Sequence, residues 1–186
     1  YGSSIVDPRT GEIIKGHVTL GSRRVRQDFL IAQSLVGSKR KTDCENMALA
    51  RLRQLSAHEV GHTLGLAHNY AASAHGRASV MDYPHPTLSI DGNGINLSNA
   101  YGVGVGNWDI FAIQWGYSEF PANTEPQALN AMVAKSRRDG LRFLSDSDAR
   151  SAGSMHPTAH LWDNGTDPIL EMRKILTIRR HALNRF

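Results

Sequence analysis

The chain has 186 residues, 40% of them apolar and 20% charged, and carries a formal charge of +4. That length suits one domain able to bury about 70% of its unfolded surface, and no apolar run approaches the roughly 18 residues of a membrane span. The basic excess gathers at residues 38–41 and 173–185 without interleaved aromatics or a recognition motif, which argues against a nucleic-acid partner.

In chain order, residues 2–21 read as a β-hairpin around Asp7-Pro8-Arg9-Thr10-Gly11, with Ile14, Val18 and Leu20 alternating onto one face. Residues 23–36 have the period of an amphipathic helix through Val25, Phe29, Ala32 and Val36. A basic loop follows. The next helix is expected to start near Thr42, where Thr42 and Glu45 have capping-box spacing, and to bury Met47, Leu52 and Leu55. Cys44, the single cysteine, allows no intrachain disulfide and reads as a small buried residue.

The same helix carries the most informative string in the chain. Residues 58–68 are His58-Glu59-Val60-Gly61-His62-Thr63-Leu64-Gly65-Leu66-Ala67-His68, or H-E-x-x-H-x-x-G-x-x-H. Residues four apart share a helix face, so His58 and His62 can grip one metal ion together. Glu59 lies about 100° further round, beside the metal, where it can reach a water without being a ligand. Gly65 lets the chain leave the helix, and His68 returns from another direction to close a tripod. Three nitrogen ligands leave a position open, as catalytic zinc sites do.

Beyond this string, residues 91–106 are polar and glycine-rich. They are expected to form a surface loop bordering the cleft, with too few carboxylates around Asp91, Asn93 and Asn96 for calcium. Asn107 is placed as the cap of a helix ending at Gly116, with Ile110, Phe111 and Ile113 in the core. Residues 125–138 form another helix through Leu129, Met132 and Val133, whereas residues 140–166 follow no clear period. Asp167-Pro168 opens the last helix, whose apolar stripe is Ile169, Met172, Leu176 and Leu183. His17, His75, His85, His156, His160 and His181 lack ligand spacing and read as loop histidines.

The zinc string and the following Ser79-Val80-Met81-Asp82-Tyr83-Pro84 resemble the long motif and Met-turn of the metzincin clan of zinc metallopeptidases. The segments at residues 6–13, 108–117 and 161–165 are similar to large bacterial zinc-dependent metalloproteases that hold a metzincin module within a longer chain. Asn69, after the third histidine, departs from the matrixin, astacin, serralysin and adamalysin branches.

The resemblance implies one catalytic Zn2+ on His58, His62 and His68, with Glu59 as general base and acid. It also implies an apolar floor at Met81 and a switchable further ligand at Tyr83. It implies an α+β fold: a small N-terminal sheet, an active-site helix and a mainly helical C-terminal part. One catalytic domain is expected over 1–186, divided at residue 68 and excised from a longer chain whose other domains are possible partners. The implied function is a secreted, extracellular or periplasmic zinc-dependent endopeptidase that hydrolyses peptide bonds of a peptide or protein substrate through a metal-activated water. The alternatives are a non-catalytic zinc-containing binding module and a zinc amidase acting on non-peptide bonds.

Overall fold

The structure is a computed structural model that describes residues 1–185. Strands β1 (Gly2–Val6) and β2 (Ile13–Val18) form an antiparallel hairpin. Helix α1 (Ser22–Val36) follows, then a short 3-10 turn (Ser38–Arg40) and the long helix α2 (Lys41–Thr63). A second hairpin pairs β3 (Ser89–Asp91) with β4 (Gly94–Asn96). The remainder is helical: α3 (Asn107–Tyr117), α4 (Glu125–Arg138), the single turn α5 (Asp146–Ala149) and α6 (Pro168–Leu183). The fold is α+β, as expected, and among the described residues no helix is long and apolar enough to cross a membrane.

Helix α2 runs between two apolar clusters. One gathers Ala32 and Val36 of α1, Cys44 and Met47 of α2, Ile95 of β4 and Ile178 of α6. The other surrounds Met81 with Ala72, Ala78, Val80 and Trp108. The buried stripe of α2 changes character along its length: Cys44, Met47 and Ala48 give way to Arg51, Gln54 and His58. Leu52 and Leu55, taken from sequence as core, are only half-buried, because the polar residues beside them take the inner face.

Several local expectations need correction. In the first hairpin, Ile5 pairs with Lys15 but Val6 pairs with Ile13, so Ile14 is the extra residue of a bulge. The bulge reverses the alternation and turns Ile13 inward, while Ile14 is 66% exposed and Leu20 is also exposed. Thr42 caps nothing, since α2 already starts at Lys41 and Arg40 holds the cap position without a side-chain bond. Asn107 is helical, and the side chain that closes the N-terminus of α3 is Asp109, which accepts from Gly106 N at 2.7 Å. Gly116 lies inside α3, Ile110 is exposed, and Trp108 is the buried apolar residue. The stretch 91–106 is largely surface, as foreseen, but it sends Ile95, Leu97, Ala100 and Tyr101 into the core, and Asp91 serves the β3–β4 turn by accepting from Asn93 N.

The last helix has the expected cap: Asp167 accepts from Ile169 N and Leu170 N at 2.9 and 3.0 Å. Its buried face, however, is Ile178 and Ala182, and the stripe through Ile169, Met172, Leu176 and Leu183 faces outward. Helix α4 has the expected bounds.

Candidate metal centre

Each histidine of the string turns the same ring atom toward a common point. His58 Nδ1 donates to Val80 O at 2.7 Å, His62 Nδ1 donates to Leu66 O at 2.8 Å, and His68 Nδ1 donates to Asp146 Oδ2 at 2.6 Å. A nitrogen facing a carbonyl or carboxylate oxygen must carry the proton, so each Nε2 presents a lone pair. The ligand atoms of the three residues lie within 4.8 Å of one another, and no other such group of three occurs among the described residues.

The donor set fits zinc. Tetrahedral coordination at about 2.0–2.1 Å holds two nitrogens roughly 3.3 Å apart, and His58 Nε2 and His62 Nε2 are 3.2 Å apart. Two lone pairs at that separation repel unless a cation lies between them. His68 Nε2 is buried with no hydrogen-bond partner, which is costly for a polar atom in any other setting. Burial lowers the pKa of His58 to about 4, although the Val80 carbonyl and the Glu59 carboxylate act against it, and this favours the neutral ring that a metal needs.

The backbone places these groups for local reasons. Helix α2 ends at Thr63, and Gly65, at φ +84°, turns the chain out of it. Leu66 N donates to Gly61 O at 3.0 Å, so the loop that returns with His68 folds back on the helix end. Asn69 N donates to Met81 O at 3.0 Å, which fastens this loop to the turn carrying Met81. Met81 has no exposed surface, and its thioether lies against Gly61, where a side chain would collide with it. Asp109 holds the preceding turn by accepting from Ser79 Oγ at 2.5 Å and Val80 N at 2.8 Å.

Glu59 is buried at 7% exposure, and its backbone lies directly against Gly2 of β1. Tyr83 stands beside the tripod, its ring centroid 5.2 Å from that of His58 and 4.7 Å from that of His68. Burial raises its pKa, with Glu59 and Asp146 adding to the effect, so the phenol keeps its proton. Trp162 stacks on Tyr83 at 5.4 Å and donates its backbone N–H to Tyr83 O at 2.9 Å. The structure therefore brings His58, Glu59, His62, His68, Met81 and Tyr83 into one region. A groove of about 930 Å³ opens beside Leu66 and Ala67, walled by Trp108, Phe111, Trp115, Tyr117 and Phe143. A second pocket between α1 and α6, about 400 Å³, shares no residue with the tripod.

A family model described as Met-zincin matches residues 40–186, which take in α2, the histidine string and the turn around Met81. The chain belongs to the Met-zincin family. No curated protein and no solved structure gives a match. The Met-zincin assignment and the three-histidine cluster together point to zinc-dependent, metallopeptidase-like chemistry.

Some members of this Met-zincin site carry no sequence signal. Asp146 lies 78 residues beyond His68, in a stretch without periodicity. Burial alone would raise its carboxyl, but hydrogen bonds from His68 and Tyr70 hold it below the usual carboxylate range. Gln54 donates to Val80 O at 3.0 Å, so this carbonyl accepts from both Gln54 and His58. Gln54 does sit four residues before His58, a helical spacing that could have flagged it.

Proposed function

We propose that the protein is a zinc-dependent endopeptidase in which Glu59 is the general base and His58, His62 and His68 hold the metal. One observation carries this reading: three imidazoles turn their Nε2 lone pairs inward at a spacing that fits one ion, next to a buried carboxylate outside the tripod. A bound zinc ion supplies Lewis acidity, making water more acidic near neutral pH and polarising a carbonyl.

The remaining steps belong to the chain's own residues. Glu59 takes a proton from the attacking water and returns it to the departing amine. Tyr83, kept protonated by burial, donates a hydrogen bond to the carbonyl oxygen as negative charge builds there. The outer edge of β1 bears no further strand among the described residues, and β1 packs at Glu59. An extended peptide can add to that edge through main-chain hydrogen bonds, which suits a peptide substrate better than a small amide.

The test is digestion of a peptide library by zinc-loaded protein. Cleavage is expected, with loss on chelation and recovery on adding zinc. Glu59→Ala should keep stoichiometric zinc and lose activity by several orders of magnitude. A metal-loaded protein that cuts no peptide, or a Glu59→Ala variant with full activity, overturns the proposal.

A further inference from the structure

The three histidines are not held by the same kind of group. His58 and His62 stand on the rigid helix α2, and their Nδ1 atoms lean on main-chain carbonyls of Val80 and Leu66. His68 lies beyond the helix, and the group that takes its Nδ1 proton is a side chain from far along the sequence. We infer that Asp146 is a positioning residue for the metal centre, holding His68 in the one tautomer and ring plane that aim Nε2 at the ion. This inference rests on the metal-site reading given above.

Asp146 is itself fixed from two sides. Its Oδ2 accepts from His68 at 2.6 Å, while Oδ1 accepts from the Tyr70 hydroxyl at 2.9 Å and from Arg150 Nη1 at 3.1 Å. Tyr70 is fully buried, and its ring stacks on His68 with centroids 5.4 Å apart. The backbone around Asp146 is tied to the histidine loop. Tyr70 N donates to Leu144 O at 2.8 Å, and Asn69, also fully buried, accepts from Leu144 N and donates to Arg142 O. Residues 142–146 thus dock on residues 69–70 and deliver the carboxylate to the ring.

A solvated surface ion pair is the simplest competing account of the His68–Asp146 contact, and these ties tell against it. His68 retains only 16% of its side-chain exposure, and its inward nitrogen is buried. A carboxylate on the far nitrogen of a ligating histidine fixes the ring and strengthens its donor atom, and losing such a partner typically costs about 10–100-fold in metal affinity. His68 needs this support more than the others, because no helix restrains it.

The experiment is titration of metal-free protein with Co2+ and Zn2+, following cobalt absorption in the visible range and zinc by competition with a chelating dye. Asp146→Asn should bind both ions about 10–100-fold more weakly and shift the cobalt spectrum. Tyr70→Phe should move in the same direction by less. Nitrogen-15 NMR of metal-free protein should find His68 protonated at Nδ1 in the wild type and mixed between tautomers in Asp146→Asn. A purely structural role would lower unfolding stability and leave the cobalt spectrum and tautomer of the folded protein unchanged, and that result overturns the inference. If Asp146→Asn does not fold, wild-type affinity in both Tyr70→Phe and Arg150→Ala overturns it. Failure of the wild type to bind metal at all is a different outcome, since it removes the metal site itself.

Discussion

Gly61 offers a test in which two well-understood effects have opposite signs. The residue lies inside α2 with an ordinary helical backbone, so Gly61→Ala should stabilise the helix by about 0.5–1 kcal/mol on propensity alone. The added methyl, however, would overlap Met81 Sδ outright and press on Cε at 3.3 Å. Met81 has no exposed surface and is packed among Ala72, Val80 and Trp108, so its thioether has no free space to move into. Overpacking of this kind typically costs about 1–3 kcal/mol. The steric term is the larger, and the net effect is a loss of up to about 2.5 kcal/mol. Urea unfolding of metal-free protein measures it, and the companion Met81→Ala background should turn the same substitution neutral or favourable. Zinc affinity should fall as well, because the turn displaced by Met81 also supplies the Val80 carbonyl to His58. A Gly61→Ala protein that is more stable than wild type and binds zinc as tightly would refute the reasoning.

Two further outcomes follow from the site. Asp109→Ala leaves Ser79 Oγ, Val80 N and Gly106 N without their acceptor and should cost about 3 kcal/mol or more in urea unfolding. A cost below about 1 kcal/mol would contradict the anchoring role given to Asp109. Burial lowers the pKa of His58 from 6.5 to about 4, so its contribution to metal-free stability is present above pH 6.5 and is lost as pH falls toward 4, by up to about 3 kcal/mol. Asp82, raised from 3.8 to about 7 chiefly by burial, acts the opposite way, its contribution being present below pH 3.8 and lost as pH rises toward 7. Because Asp82 is common to both proteins, the acid-side slope of wild type minus that of His58→Gln isolates the histidine, and equal slopes would refute its burial as the neutral ring.

The parts of this molecule legible in sequence are those whose geometry is set within a few residues. His58 and His62 meet because a helix repeats every 3.6 residues, Gly65 turns the chain because it lacks a Cβ, and Asp167 caps α6 because its oxygen reaches the next turn. Asp146 could not be found that way, since its partner is 78 residues distant and nothing periodic links them. Asn69 looked like a departure from a family pattern, yet its buried amide sews the histidine loop to residues 142–144. The errors on α6 and the first hairpin share a cause. Periodicity finds an apolar stripe, but which stripe is covered depends on a distant neighbour or, at Ile14, on one bulged residue.

Two glycines give the first hairpin a keyed fit on α2. Gly2 rests on the backbone at Glu59, and Gly16 rests on Thr63, one helical turn further on. A slip of one residue in either strand would bring Ser3, Lys15 or His17 where only a hydrogen now fits, and the ribbon would lift from the helix. Alignment of the strand edge with the glutamate is therefore enforced by two notches, beside the ion pair of the Tyr1 amino group with Glu59 at 3.6 Å.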